Sequence, residues 1–243
     1  MLQTVATAAV AATGVVKRYG ETTALHGVDI EVARGEIVCI LGPNGAGKST
    51  LLRILATILV PDAGRVLVDG HDAVQEPRLV RRSIGFAMTD ERSWYWRLTG
   101  RQNLEFFAAL YHIPRREAAR RIERLLDEFE LGDVADRRFQ EYSTGMRARL
   151  SLARAFLPDP SVLFLDEPTR SVDPVVASGF RRELRLATTR RQMGVVLATH
   201  DLHEAATLAS RVVIMHRGRI ASSADPGLTA AELEHRLTAA VDA

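Results

Sequence analysis

The sequence predicts an α/β protein built on a mainly parallel sheet, and three features lead there. The apolar run Ile37-Val38-Cys39-Ile40-Leu41 ends at a glycine loop that passes directly into a helix-spaced segment. Apolar runs of strand length return at Val162 to Leu165, Val195 to Ala198 and Val212 to Met215. The segments between them are long enough for helices to cross over a sheet.

Taken in order, Met1 to Val16 is uncharged and rich in Ala and Thr, without the basic start and strongly apolar centre of a leader. Residues 1–13 are therefore expected as a loose N-terminal tail. Val15 to Tyr19 and Val28 to Val32 alternate or run apolar around short turns, and Gly35-Glu36 leads into the first buried strand. After the glycine loop, Leu51, Leu52, Ile54 and Leu55 recur at helical spacing until Pro61-Asp62-Ala63-Gly64 stops the run.

From about Arg92 to Pro158 the pattern turns helical: Ile122, Leu125, Leu126 and Phe129 form one apolar stripe, with arginines and glutamates on the other face. This is read as an inserted helical lobe, about residues 90–158 of a domain spanning 14–225. Residues 226–243 form a C-terminal tail in which Ala230 to Val241 suits a short amphipathic helix.

Composition excludes several classes of function. With 32 basic against 30 acidic residues the formal charge is +2, too small to draw the chain to nucleic acid or an anionic membrane. Cys39 is the single cysteine, so no internal disulfide forms; it reads as a small buried apolar residue in a protein of a reducing, cytoplasmic compartment. No segment approaches about 18 consecutive apolar residues, so a membrane role would run through a partner.

The chemistry begins at Gly42-Pro43-Asn44-Gly45-Ala46-Gly47-Lys48-Ser49-Thr50, which fits the pattern G-x-x-x-x-G-K-[ST] between a strand and a helix. Glycines let backbone N–H groups converge on phosphate oxygens, and the helix N-terminus adds positive potential. Lys48 is placed to reach the β and γ phosphates and Ser49 to ligate magnesium, so the loop predicts ATP with Mg2+.

Val162-Leu163-Phe164-Leu165-Asp166-Glu167 is an apolar strand delivering adjacent carboxylates, which point to opposite sides if strand geometry persists. Asp166 is assigned to the magnesium shell and Glu167 to polarising the attacking water. Ala198-Thr199-His200-Asp201 ends another predicted strand, where parallel folds gather ligands, and His200 can donate to the γ-phosphate. Lys48, Glu167 and His200 are the catalytic candidates.

This order of motifs resembles the nucleotide-binding subunit of ABC transporters, from about Val15 to Ser222. The resemblance implies a P-loop NTPase fold with a mainly parallel core, an N-terminal antiparallel β subdomain and the inserted helical lobe. It also implies an ATPase that closes head-to-tail with a second copy of itself, and a separate integral membrane permease that holds it at the inner face of the cell membrane.

Tyr19 looks like the family's adenine-stacking aromatic. Tyr142-Ser143-Thr144-Gly145-Met146, just before a helix expected over Arg147 to Leu157, resembles the family signature Leu-Ser-Gly-Gly-Gln; it departs at Tyr142, Thr144 and Met146. Ser143, Thr144 and Gly145 would face the ATP of the opposite subunit. Ser171-Val172-Asp173 matches the dimer-contacting loop, and Asp173 equally suits an N-cap before Pro174.

Where family members place a metal-sensing glutamine, this chain has Thr89, followed by Asp90 and Glu91. Trp94-Tyr95-Trp96 comes next, suited either to gripping a partner's helix or to packing inside the lobe.

The signature variant and the run Asp166 to Pro174 look like the export branch that handles drugs, lipids or glycans. The alternative is a soluble ATPase of the same type acting on ribosomes, DNA or a protein assembly. It fits less well: relatives that act on ribosomes usually carry two such cassettes in tandem, and no sustained heptads lie between the loop and the signature here.

Overall fold

The computed structural model describes residues 8–88, 93–170, 172–224 and 226–242. Among them, β1 (Val10–Tyr19), β2 (Thr22–Val32), β4 (Ala63–Val68) and β5 (His71–Asp72) form an antiparallel sheet in the order β2-β1-β4-β5. A second sheet has the order β10-β9-β3-β8-β7-β6. Its strands are β3 (Ile37–Leu41), β6 (Ile84–Met88), β7 (Val162–Asp166), β8 (Gly194–Thr199), β9 (Arg211–His216) and β10 (Arg219–Ala224). All its pairs are parallel except that of β10, which turns back on β9 at the edge.

The predicted fold class is therefore the observed one. β1 begins at Val10, so Val10 to Thr13 are strand where a tail was expected. The uncharged start of the chain gave no pattern for this; pairing with Val32 on β2 and Val68 on β4 supplies what local sequence did not.

Both faces of the parallel sheet are covered, and β3 shows the consequence. Ile37, Cys39 and Leu41 pack into one core, with the helical lobe and the C-terminal helices, while Val38 and Ile40 pack into another under the antiparallel sheet. A strand buried on both faces has no polar side to reveal, so it reads as an unbroken apolar run. Helix α1 (Lys48–Leu55) lies between the sheets and buries Leu51, Leu52, Ile54 and Leu55. Helix α2 (Pro77–Ser83) precedes β6.

Between β6 and β7 the lobe carries α3 (Gly100–Leu110), α4 (Arg115–Glu128) and α5 (Thr144–Phe156). Thr99 and Gln102 close a capping box on α3. Ile122, Leu125 and Leu126 form the buried stripe of α4, followed by Phe129 at its C-cap. Helix α6 (Pro174–Arg191) joins β7 to β8, α7 (Leu202–Leu208) joins β8 to β9, and α8 (Ala230–Asp242) docks through buried Leu233.

Candidate active site

Sheet order builds the site. β8 lies between β3 and β7, with Leu41 paired to Thr199 and Asp166 to Ala198. The loop after Leu41, the carboxylates ending β7 and His200 after β8 therefore emerge side by side at the carboxyl ends of three adjacent strands.

The glycine loop is shaped by its surroundings. Gly47 takes φ 102°, and a Cβ there would lie 2.8 Å from the Ala24 carbonyl oxygen; a Cβ on Gly42 would run into the Met215 carbonyl. The turn after β9 props the loop, since the Gly218 N–H donates to the Ala46 oxygen at 2.9 Å and the His26 N–H donates to the Gly218 oxygen at 2.9 Å.

Lys48 curls onto this loop. Its ammonium donates to the carbonyl oxygens of Gly42 at 2.7 Å and Pro43 at 3.1 Å, and stands 3.8 Å from Glu167 Oε1. Burial pushes its pKa down, opposed by the charges of Glu167 and Asp166.

Asp166 is nearly buried, and its Oδ1 accepts from Ser49 Oγ at 3.0 Å. Burial pushes its carboxyl up, opposed first by the Ser49 hydrogen bond. A hydroxyl and a carboxylate form the hard-oxygen donor set that suits magnesium, which completes its shell with water and phosphate. A cation there would offset the desolvation that Asp166 bears.

Glu167 corrects the strand-based expectation. The strand ends at Asp166, and Glu167 sits in the left-handed region at φ 52°, its N–H donating to the Ala198 oxygen at 2.8 Å. Its direction comes from this turn and not from alternation along a strand. Oε2 lies 2.6 Å from His200 Nδ1, so a carboxylate, an imidazole and the Lys48 ammonium converge on one space. With Glu167 ionised, Nδ1–H donates to it, which leaves Nε2 of the exposed His200 ring for a ligand.

Tyr19 ends β1 and is 49% exposed, with Lys17 Nζ 5.8 Å from its ring centroid. Helix α5 starts at Thr144, three residues before the expected Arg147, because Ser143 is its N-cap and accepts from the Met146 N–H at 3.3 Å. Thr144 and Gly145 thus occupy its first turn. Tyr142 is buried, and its hydroxyl donates to the Val134 oxygen at 2.9 Å, tying the signature to the lobe.

The Asp173 carbonyl accepts from the Ala177 N–H at 2.8 Å at the start of α6, the N-cap placement read from sequence. Ser171 and the segment Thr89 to Glu91 lie outside the described residues. The aromatic triplet packs on the lobe, with Tyr95 edge-on to Phe106 and Trp96 edge-on to Phe139. Trp94 packs inward, stacked on Phe139 at 4.9 Å with the Arg154 guanidinium 4.7 Å from its ring; Tyr95 and Trp96 remain 47% and 41% exposed.

Sequence reading missed two supports. Asn103 is fully buried and braces the 95–99 turn: its amide group donates to the Tyr95 and Thr99 oxygens, and its Oδ1 accepts from the Tyr95 N–H. Glu204 is a fully buried acid on α7, and its signal was a charge at i+4 from His200 within an apolar helix pattern.

The family model described as ABC transporter matches residues 25–170. The daunorubicin resistance ATP-binding protein DrrA3 of Streptomyces coeruleorubidus is 45% identical over 220 residues, 87% of this chain and 66% of that protein. The sulfate/thiosulfate import ATP-binding protein CysA of Thermosynechococcus vestitus is 37% identical over 210 residues, 86% of this chain and 62% of that protein. The chain thus spans about two thirds of the length of these relatives. Among solved structures, the dimeric ABC transporter cassette MJ0796 superposes with a TM-score of 0.79 at 27% identity, covering 89% of this chain and 98% of that one.

Proposed function

This chain belongs to the ABC transporter family, whose ATP-binding cassettes are ATPases, and from that premise we propose that it is the energy-supplying subunit of an exporter. The observation that carries the catalytic part is the placement of the Glu167 carboxylate between Lys48 Nζ at 3.8 Å and His200 Nδ1 at 2.6 Å.

Each residue has a role in hydrolysis. The N–H groups of the loop Gly42 to Thr50 cradle the phosphates, and Tyr19 stacks on adenine. Lys48 exchanges its loop carbonyls for phosphate oxygens. Glu167 accepts a proton from water as the water oxygen attacks the γ-phosphorus and the bond from that phosphorus to the β-γ bridging oxygen breaks, leaving ADP and phosphate. His200 orients Glu167 through Nδ1 and, with both ring nitrogens protonated, donates to the γ-phosphate through Nε2. Ser49 and Asp166 would hold magnesium, which neutralises charge on the β and γ oxygens when bound.

The second copy completes the site. Ser143, Thr144 and Gly145 at the N-terminus of α5 would face the partner's γ-phosphate, with Asp173 lining the seam; the dimeric MJ0796 cassette supports such an assembly. No helix among the described residues is long and apolar enough to cross a membrane. Membership of the family supports coupling to transport through a separate permease at the inner face of the membrane. Exposed Tyr95 and Trp96 suit its docking. Export is favoured over import because identity is higher to the drug-resistance protein, 45% against 37% for the sulfate importer.

The test is purification of tagged Glu167→Gln chain from detergent-solubilised cells with ATP, followed by mass spectrometry. A stoichiometric multi-span membrane protein is the expected result. Copurification of ribosomes or chromatin proteins, with no membrane protein, would overturn the transporter reading.

A further inference from the structure

Glu204 is 0% exposed on α7, beside buried Ala205 and Leu208. Its Oε1 accepts from Thr169 Oγ1 at 2.8 Å, and its N–H donates to Asp201 Oδ1 at 3.2 Å. Oε2 is sealed from solvent without a hydrogen-bond partner among the described residues. Burial pushes this carboxyl up, opposed by the nearby Thr199 and Thr169 hydroxyls and by Arg181. A leucine would fill the same volume without the cost of burying a half-satisfied carboxyl, so packing alone does not account for an acid here.

The two ends of this link belong to different parts of the site. Thr169 lies in the turn that follows Glu167 and leads to Asp173, where the Arg170 N–H donates to the Glu167 oxygen at 3.1 Å and the Val172 N–H to the Thr169 oxygen at 3.0 Å. Thr199 ends β8 immediately before His200, and its Oγ1 accepts from the Asp201 N–H at 3.0 Å. Asp201 in turn caps α7, its Oδ1 accepting from the N–H groups of His203 at 2.8 Å and Glu204 at 3.2 Å.

We propose that Glu204 is a positioning residue: by bridging Thr169, through its carboxyl, to the Asp201 cap of α7, through its N–H, it couples the loop carrying Glu167 and Asp173 to the segment carrying His200. Approach of a second copy at Asp173 and placement of His200 on the γ-phosphate then become one event. This deepens the dimer reading above and rests on it.

The test measures steady-state ATPase, ATP affinity and Tm of the full chain. Glu204→Leu lowers kcat about tenfold, the worth of one buried hydrogen bond, with KM within about twofold and Tm not reduced. Glu204→Gln, which keeps an acceptor and a donor in the same shape, restores most of the rate. Thr169→Val lowers kcat in the native background and has no further effect beside Glu204→Leu.

Full kcat in Glu204→Leu, or additive losses in that pair, overturns the proposal. Should Glu204→Leu not fold, the cycle of Thr169→Val with Asp201→Ala decides: coupled losses support the bridge and additive losses overturn it. Failure of the dimer reading shows separately, as Glu167→Gln chain that stays monomeric with ATP, and the cycles still decide the bridge.

Discussion

Glu167 Oε2 lies 2.6 Å from His200 Nδ1, although the two residues stand 33 positions apart and on different strands' ends. The pair joins the group that would take the proton of water to the group that would hold the γ-phosphate. Replacing Glu167 by Gln keeps the shape and removes the base. ATP binding is expected to persist, turnover to fall by about 10²-fold or more, and the ATP-bound dimer to accumulate on size exclusion with light scattering. Normal turnover in this variant would remove Glu167 from the base role.

Ser143 caps α5 and would also touch the opposite subunit's phosphate, and one substitution separates these duties. Asp caps a helix as well as Ser does, so Ser143→Asp should hold the native Tm, whereas Ser143→Ala loses about 1 kcal/mol. The new carboxylate repels phosphate, so ATPase should be lost in Ser143→Asp. Native activity there would leave Ser143 a cap only.

If Ser143 completes a neighbour's site, the ATPase rate per subunit rises with protein concentration until the dimer saturates. A flat dependence in a chain confirmed monomeric with ATP would sink the composite site.

Ser49 and Asp166, 3.0 Å apart, are proposed to share magnesium. Asp166→Asn should leave ATP binding in EDTA close to native and abolish the gain in hydrolysis that magnesium produces. Equal magnesium stimulation in both chains would take Asp166 out of the metal shell.

Tyr142 carries a pH signature. Burial first, then the charge of Asp136, pushes its pKa from 10.0 up to about 12, so the folded state holds the phenol proton more tightly than the unfolded chain. This contribution is complete below about pH 10 and is lost as pH rises from there toward about 12, at about 1.4 kcal/mol per pH unit at most. Tyr142→Phe forfeits the hydrogen bond to the Val134 oxygen at neutral pH. The stability gap between native and Tyr142→Phe protein, followed by urea unfolding, should therefore narrow above pH 10; a constant gap would contradict this.

Much of the architecture was legible because its signals are local. The loop Gly42 to Thr50 announces itself by residue type and spacing, the buried strands by unbroken apolar runs, and α4 by a stripe at helical period. Edge elements were less so. β10 alternates intermediate, exposed and buried residues weakly, and β5 is two residues long, so neither carries a period that stands above its surroundings.

What the sequence determined by itself was the chemistry available: a phosphate-cradling loop, two carboxylates at a strand end and a histidine at another. What only the tertiary structure decided was how they meet. The order β3-β8-β7 sets His200 between the loop and the carboxylates, and a left-handed turn at Glu167 aims its side chain at Lys48 and His200. Burial turns Glu204 from one more acid on a helix into a link between Thr169 and the Asp201 cap beside His200. These are relations between distant segments, fixed by sheet pairing and close packing, and no local period encodes them.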